Sequence, residues 1–427
     1  MISRWGETLD RDCPLNNYPR PQLRRDNWQC LNGPWQWAIA NERPADFTGT
    51  ITVPYSPEAP LSGVERQLLP GETLWYRRVV AFDPQPGRRL LHFGAVDQSC
   101  EVWVNGLSVG DHAGGYWPFY FDVTTAIRPG DNEILVAVRD DSDQGSEAYG
   151  KQNLKRGGIW YTAQSGIWQT VWTEVVPPTY IDRIEINPDY DQASVSLRVH
   201  LAGDEPGLDE FELTVPEFHP WTPDDPYLYD LEISAGEDRV TTYYALRKIS
   251  VVEVNGHPRL ALNNQPLFQT GLLDQGYYAD GLYTAPSDEA MIWELEQIKA
   301  LGFNMVRKHI KIEPLRWYHH CDRLGLLVWQ DFVSGGGPYH DLVTRYLPFI
   351  GVRLRDHRHR RFGRRSATGR EVFARDLNRT IELLRNSPSV VVWVPFNEGW
   401  GQFDAAQTAE EVRRLDPSRL IDHASGW

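Results

Sequence analysis

Through the first 177 residues, apolar and polar positions alternate in short runs, at 74–80, 89–93, 100–104, 133–139 and 167–172. A period of two marks strands with one buried face. Val104-Asn105-Gly106-Leu107 reads as a tight hairpin, since Asn and Gly tolerate the positive φ that such turns need. Many strands with no helical period between them predict a jelly-roll sandwich over 1–177.

Pro177-Pro178 is a boundary, and the β pattern resumes beyond it at 181–186, 194–199, 228–233 and 240–245. That predicts an immunoglobulin-like β-sandwich over 178–252, with a strand pair fewer than the usual seven strands. After Val254-Asn255-Gly256 the period changes. Strand-like runs at 267–272, 303–307, 326–331, 389–396 and 420–423 alternate with helical stretches at 287–302, 314–324, 369–385 and 405–415. Ser287 is placed to cap the first of these helices, and Gly302 to end it. Alternating β and α elements predict a parallel sheet. The domain over 253–427 is therefore expected to be the first part of a (β/α)8 TIM barrel, with about five strands of eight.

Composition narrows the partners. The net charge of −15 argues against nucleic acid and anionic membranes. No stretch has the apolar length of a membrane span, and the first residues lack the apolar core of a signal peptide. A cytoplasmic location is expected. Cys13, Cys30, Cys100 and Cys321 are scattered, as reduced thiols would be rather than a disulfide framework or zinc site. The 17 Trp and 19 Tyr fit sandwich cores, and they also suit stacking on sugar faces.

The chemistry collects at the ends of the barrel-like strands. The most apolar run closes on Asn397-Glu398, and a carboxylate at the C-terminal tip of a barrel strand lies where such enzymes work. A Glu there can act as general acid or base, and the neighbouring Asn can hold a sugar hydroxyl. The other tips carry Asp274-Gln275, Arg307-Lys308-His309, Asp331 and Asp422-His423. Alone, each of these reads as a structural hydrogen-bonder; as a set they describe a pocket. His319-His320-Cys321 is not a metal cluster, because adjacent helical residues face different ways. Ser334-Gly335-Gly336-Gly337-Pro338 lacks the Lys of a phosphate loop. Ala424-Ser425-Gly426 is no serine-hydrolase elbow. The arginine-rich stretch 353–365 reads as a solvated or subunit-facing insertion.

With these parts in place, the chain resembles glycoside hydrolase family 2, the β-galactosidase, β-glucuronidase and β-mannosidase group. Tyr18-Pro-Arg-Pro-Gln22, Leu31-Asn-Gly-Pro-Trp35 and Ser165-Gly-Ile-Trp-Gln-Thr-Val-Trp172 are similar to its sugar-binding jelly roll. His219-Pro-Trp-Thr-Pro-Asp-Asp-Pro-Tyr-Leu-Tyr229 is similar to its immunoglobulin-like domain. Gly302-Phe-Asn-Met-Val-Arg-Lys-His309, Cys321-Asp-Arg-Leu-Gly-Leu-Leu-Val-Trp-Gln-Asp331 and Pro395-Phe-Asn-Glu398 are similar to its barrel. The resemblance implies a retaining β-glycosidase acting on terminal β-linked sugars without a cofactor or metal. Glu398 would be the general acid/base and Asn397 would bind the 2-hydroxyl. Arg307 would support nucleophile or substrate. Asp274, Gln275, His309, Asp331, Trp400 and Trp427 would complete the pocket. A homo-oligomer is compatible with all of this.

The resemblance also implies a nucleophilic Glu at the end of barrel strand seven, whereas this chain stops after strand five. The expectation is a chain truncated within its catalytic barrel, with Asp274, Asp331 or Asp422 poorly placed to substitute. The alternatives are a non-catalytic carbohydrate-binding protein, its binding carried by exposed tryptophans of the first domain, or an inactive fragment.

Overall fold

The computed structural model describes every residue except 338, 341, 348, 349, 353, 426 and 427, and leaves the side chains of 344 and 345 undescribed. The chain forms two compact units, one of residues 1–19, 25–178 and 277–291, the other of 20–24, 179–276 and 292–427.

The first unit is a two-sheet sandwich. A six-stranded antiparallel sheet runs in the order Gly49–Val53, Gly33–Ile39, Leu74–Phe82, Gly130–Arg139, Ser99–Val104, Leu107–Ala113. The second sheet orders Trp28–Cys30, Val171–Val176, Arg88–Phe93 and Phe119–Asp122. Their inward faces share one core that includes Trp35, Tyr76, Leu91, Phe93, Val102, Val136 and Val171. This is the jelly roll that the alternation called for. Asn105 and Gly106 take φ of 51° and 82° at the hairpin between Val104 and Leu107, as the Asn-Gly pair required.

The run at 167–172 is not one strand. Gly166–Ile167 pairs with Val96–Asp97, while Val171–Val176 joins the four-stranded sheet. Gly166 makes the break possible. It sits at φ 78°, and a Cβ there would come 2.1 Å from the Tyr76 hydroxyl. Trp168, next but one along the chain, turns inward and donates Nε1–H to the Gly115 carbonyl at 2.7 Å. An indole buried with its one donor satisfied gains both packing and a hydrogen bond.

The second unit begins with a small sandwich. A three-stranded sheet (Thr179–Asp189, Ser194–Gly203, Gly207–Thr214) and a hairpin (Tyr229–Ala235 with Asp238–Tyr244) close on Ile181, Ile184, Val195, Leu197 and Val240. After a further hairpin, Ile249–Val254 with His257–Leu262, five parallel strands follow in sequence order. They are Gly271–Asp274, Met305–Lys308, Leu327–Asp331, Val390–Val394 and Leu420–Ile421. Helices Asp288–Ala300, Leu315–Leu324, Ala367–Leu384 and Ala405–Leu415 connect them, within a residue or two of the expected bounds at most ends. The Ser287 hydroxyl accepts from the Ala290 N–H at 3.2 Å, as a cap should.

The first barrel strand lies later than the apolar run at 267–272 suggested. Gln265–Pro266 pairs back on Ala261 and Leu262, and the Leu267 N–H donates to the Leu260 carbonyl at 2.9 Å, which draws the start of that run into a hairpin. The fourth strand, Val390–Val394, is buried at every position. Burial on both faces explains its unbroken apolar sequence. Among the described residues no helix is long and apolar enough to cross a membrane.

Candidate active site

Parallel strands with consecutive order bring all their C-terminal tips to one end. In the second unit the tips of strands two to five share a polar network centred on Arg307. Its Nε donates to Asp331 Oδ1 at 2.8 Å, and Nη2 donates to Asp331 Oδ2 at 3.1 Å. The same Nη2 also reaches Asn397 Oδ1 at 2.9 Å and the Ser425 hydroxyl at 2.6 Å. One guanidinium thus links the tips of strands two, three and four with the loop after strand five. Asp331 is buried and holds His309 as well, with Nδ1 2.7 Å from Oδ2. A ring nitrogen so held fixes the imidazole's orientation.

Asn397 and Glu398 cap the fourth strand. The Glu398 N–H donates to the Ser425 carbonyl at 2.7 Å, and Ser425 N–H donates to the Phe396 carbonyl at 3.1 Å. The two loops are therefore zipped together. Asn397 is buried, while the Glu398 side chain is exposed. Glu398 takes φ 51°, in the left-handed region that side-chain-bearing residues avoid. Ile310, directly after His309, is held at φ 52°, which is costlier still for a β-branched residue. Two such residues at the tips of strands two and four mark a backbone shaped by something other than local preference.

Asp274 stands at the tip of the first strand. It accepts from the Gly276 N–H at 2.8 Å and from Lys308 Nζ at 2.6 Å. Burial alone would raise its pKa, but the adjacent Lys308 charge and these bonds outweigh it and hold the carboxyl below its ordinary value. Lys308 also contacts Glu313 at 2.8 Å, and Glu313 contacts Lys311 at 2.8 Å. Burial pushes Lys308 down, and the two carboxylates more than reverse that, so it stays charged. For Lys311 burial wins, and its ammonium is lowered to about 8. A buried lysine shared by two carboxylates is a rigid support for the site floor.

The sequence reading assembled Asp274, Arg307, His309, Asp331, Asn397 and Glu398, and the strand tips bring them together. Gln275 is half-buried and makes no hydrogen bond among the described residues. Trp400 is half-buried and meets Tyr339 edge to face at 5.4 Å. Trp427 lies outside the described residues. Lys311, Glu313 and Ser425 were not singled out as site residues. The first two sit in a loop with no periodic signal. Ser425 enters through its carbonyl as much as its hydroxyl, which no sequence motif encodes.

Two family descriptions match the sequence. Residues 66–173 match "Glycosyl hydrolases family 2, sugar binding domain" and 252–426 match "Glycosyl hydrolases family 2, TIM barrel domain". A β-galactosidase of Oenococcus oeni is 26% identical over 98% of this chain and 40% of its own length. A β-galactosidase of Thermoanaerobacter pseudethanolicus is 27% identical over 66% of this chain and 43% of its own. The chain thus spans less than half the length of these relatives. Among solved structures, a β-galacturonidase from Eisenbergiella tayi superposes with a TM-score of 0.74, at 18% identity, over 95% of this chain and 72% of that one. A β-D-glucuronidase of Dictyoglomus thermophilum gives 0.73 at 18% identity, over 95% and 73%. At such identity these structures speak to the fold.

Proposed function

The chain belongs to glycoside hydrolase family 2, and on that footing we propose that it forms the acid/base half of a retaining β-glycosidase. The substrate would be a terminal β-linked sugar of the galactoside or glucuronide type. Glu398 is the general acid in this reading. It gives a proton to the glycosidic oxygen as the bond breaks, then takes one from water in the second step. Asn397, fixed by Arg307, offers its amide N–H to the sugar 2-hydroxyl. His309 and Asp331 hold that arrangement, and Trp400 borders it.

The observation that carries the reading is the posture of Glu398. Its side chain is exposed at a strand tip and its backbone is held at positive φ, beside a buried amide anchored by an arginine. A surface glutamate serving solubility alone needs none of this.

Retention requires a second carboxylate about 5–5.5 Å from the first. Asp274 is engaged by Lys308, and Asp331 by both Arg307 and His309. A carboxylate locked in short ion pairs is a poor nucleophile, and Asp422 follows strand five rather than seven, where the family resemblance puts the nucleophile, so we propose that the nucleophile comes from barrel strands outside these 427 residues. Assay of this chain with nitrophenyl β-galactoside and β-glucuronide tests the assignment. Robust turnover that Glu398→Gln abolishes would place a nucleophile within the chain. Turnover untouched by that change would remove Glu398 from the role. The binding-module alternative called for exposed tryptophan in the first unit, and among the described residues none of its tryptophans is exposed.

A further inference from the structure

The segment 355–365 packs against the loop that follows Glu398. Arg364 is buried and donates Nε–H to the Gly401 carbonyl at 2.8 Å. Asp356 Oδ2 accepts from Gln402 Nε2 at 3.1 Å and from the Ala405 N–H at 2.9 Å. His359 Nε2 lies 2.8 Å from Asp404 Oδ2, and Phe362 is buried. These contacts fix the segment as a rim beside the Asn397–Asp404 loop.

From that anchored rim Arg355, Arg358, Arg360, Arg361 and Arg365 all project into solvent. Among the described residues none of their side chains meets a carboxylate. Several solvent-facing arginines elsewhere in the chain do meet one. Arg413 pairs with Glu410 and Arg414 with Glu411 in the next helix. Arg43, Arg88 and Arg198 are paired as well. Five like charges left together repel one another unless something negative comes between them. The arrangement is therefore costly without an anionic occupant.

We propose that this arginine rim is a subsite for an acidic glycan, binding the uronate or sulfate groups of a chain whose terminal sugar enters beside Glu398. The proposal rests on the glycosidase reading for its carbohydrate, and on the rim itself for the negative charge. Planar guanidinium groups suit carboxylate and sulfate, which they meet with two parallel N–H donors. A nucleic acid fits less well, because Phe362, the segment's one Phe, Tyr or Trp, is buried and offers no base a stacking face. The net charge of −15 on the whole chain repels polyanions elsewhere and confines binding to this rim.

The test is binding rather than turnover, measured by calorimetry on the 427-residue chain and on its Glu398→Gln variant. The probes are an oligogalacturonate, a neutral galacto-oligosaccharide of equal length and an oligothymidine of equal charge. Oligogalacturonate is expected to bind both proteins, more weakly as salt rises. The combined Arg358→Ser, Arg360→Ser and Arg361→Ser variant should lose on the order of tenfold in affinity and about two units of the log–log salt slope. Binding of the neutral oligomer should not change. Unchanged oligogalacturonate affinity in the triple variant overturns the proposal, and so does tighter binding of oligothymidine. Because no bond is cleaved, loss of the catalytic reading would leave this readout standing. Conversely, Glu398-dependent catalysis with an inert rim would defeat the subsite alone.

Discussion

Arg307 grips Asp331 through two nitrogens, with Nε 2.8 Å from Oδ1 and Nη2 3.1 Å from Oδ2. Paired this way, strands two and three present a fixed edge. The spare capacity of Nη2 carries that rigidity to Asn397 and Ser425.

Arg307→Lys is therefore not conservative. A lysine supplies one mobile charge where a planar fork held four oxygens. Affinity for a non-hydrolysable phenyl β-thiogalactoside or β-thioglucuronide should fall on the order of 100-fold, since Asn397 loses its anchor. Arg307→Ala should in addition destabilise the second unit by about 3 kcal/mol, because Asp331 stays buried with one partner gone. Calorimetry and urea unfolding read the two effects separately. Unaltered ligand affinity in the lysine variant would take Arg307 out of the site.

The first unit should weaken as pH rises through the acid-to-neutral range. Asp140 is buried, and burial raises it to about 7, reinforced by nearby Asp141 and Asp143. Asp97, also buried, is pushed well up, first by burial and then by Asp140. Both groups keep a proton in the folded chain that the unfolded chain has already lost. The contribution of Asp140 is thus greatest below pH 4 and declines until about pH 7, and that of Asp97 likewise falls as pH rises. Asp140→Asn keeps an acceptor for the Ser142 N–H and removes the titration. It should shrink the difference in stability between pH 5 and pH 8 by a few kcal/mol, on the order its displacement implies. An identical pH slope in the variant would contradict this.

Tyr243 and Asp322 tie the small sandwich to the barrel helix. The phenol donates to Asp322 Oδ2 at 2.7 Å, and the Ser389 N–H donates to Oδ1 at 2.8 Å. Burial raises Asp322 to about 6, so above that pH the bond is made to a charged acceptor. Tyr243→Phe should cost about 1.5–3 kcal/mol at pH 8. It should cost less at pH 5, where the acid is protonated and needs the donor less. Chemical unfolding at the two pH values checks the sign. A larger loss at pH 5 would refute it.

How much of this was legible in the sequence depended on whether one residue's environment was set by its neighbours in the chain. Val390–Val394 announced itself, since burial on both faces leaves no polar position. The Asn105-Gly106 turn did so by backbone preference. The strand tips were readable because apolar runs end in charge. The links between them were not. The Lys308–Glu313–Lys311 cluster joins a strand to an irregular loop, and Ser425 closes on Glu398 through its backbone. Such pairings come from the curvature of the sheet, which a one-dimensional pattern does not carry. The arginine segment was legible as charge, but its attachment to the Gly401 loop was not.

If Glu398 is the acid and its partner nucleophile is supplied from elsewhere, azide rescue reads both at once. Azide can attack the anomeric carbon of a phenyl β-galactoside or β-glucuronide in place of a missing carboxylate. The glycosidic bond then breaks, Glu398 gives its proton to the departing phenolate, and the product is the inverted α-glycosyl azide. The 427-residue chain should show negligible hydrolysis alone and clear azide-dependent release of phenol. Glu398→Gln should cut that release by about 100-fold or more. Azide-dependent release of equal rate in Glu398→Gln, or fast hydrolysis without azide, would contradict the account.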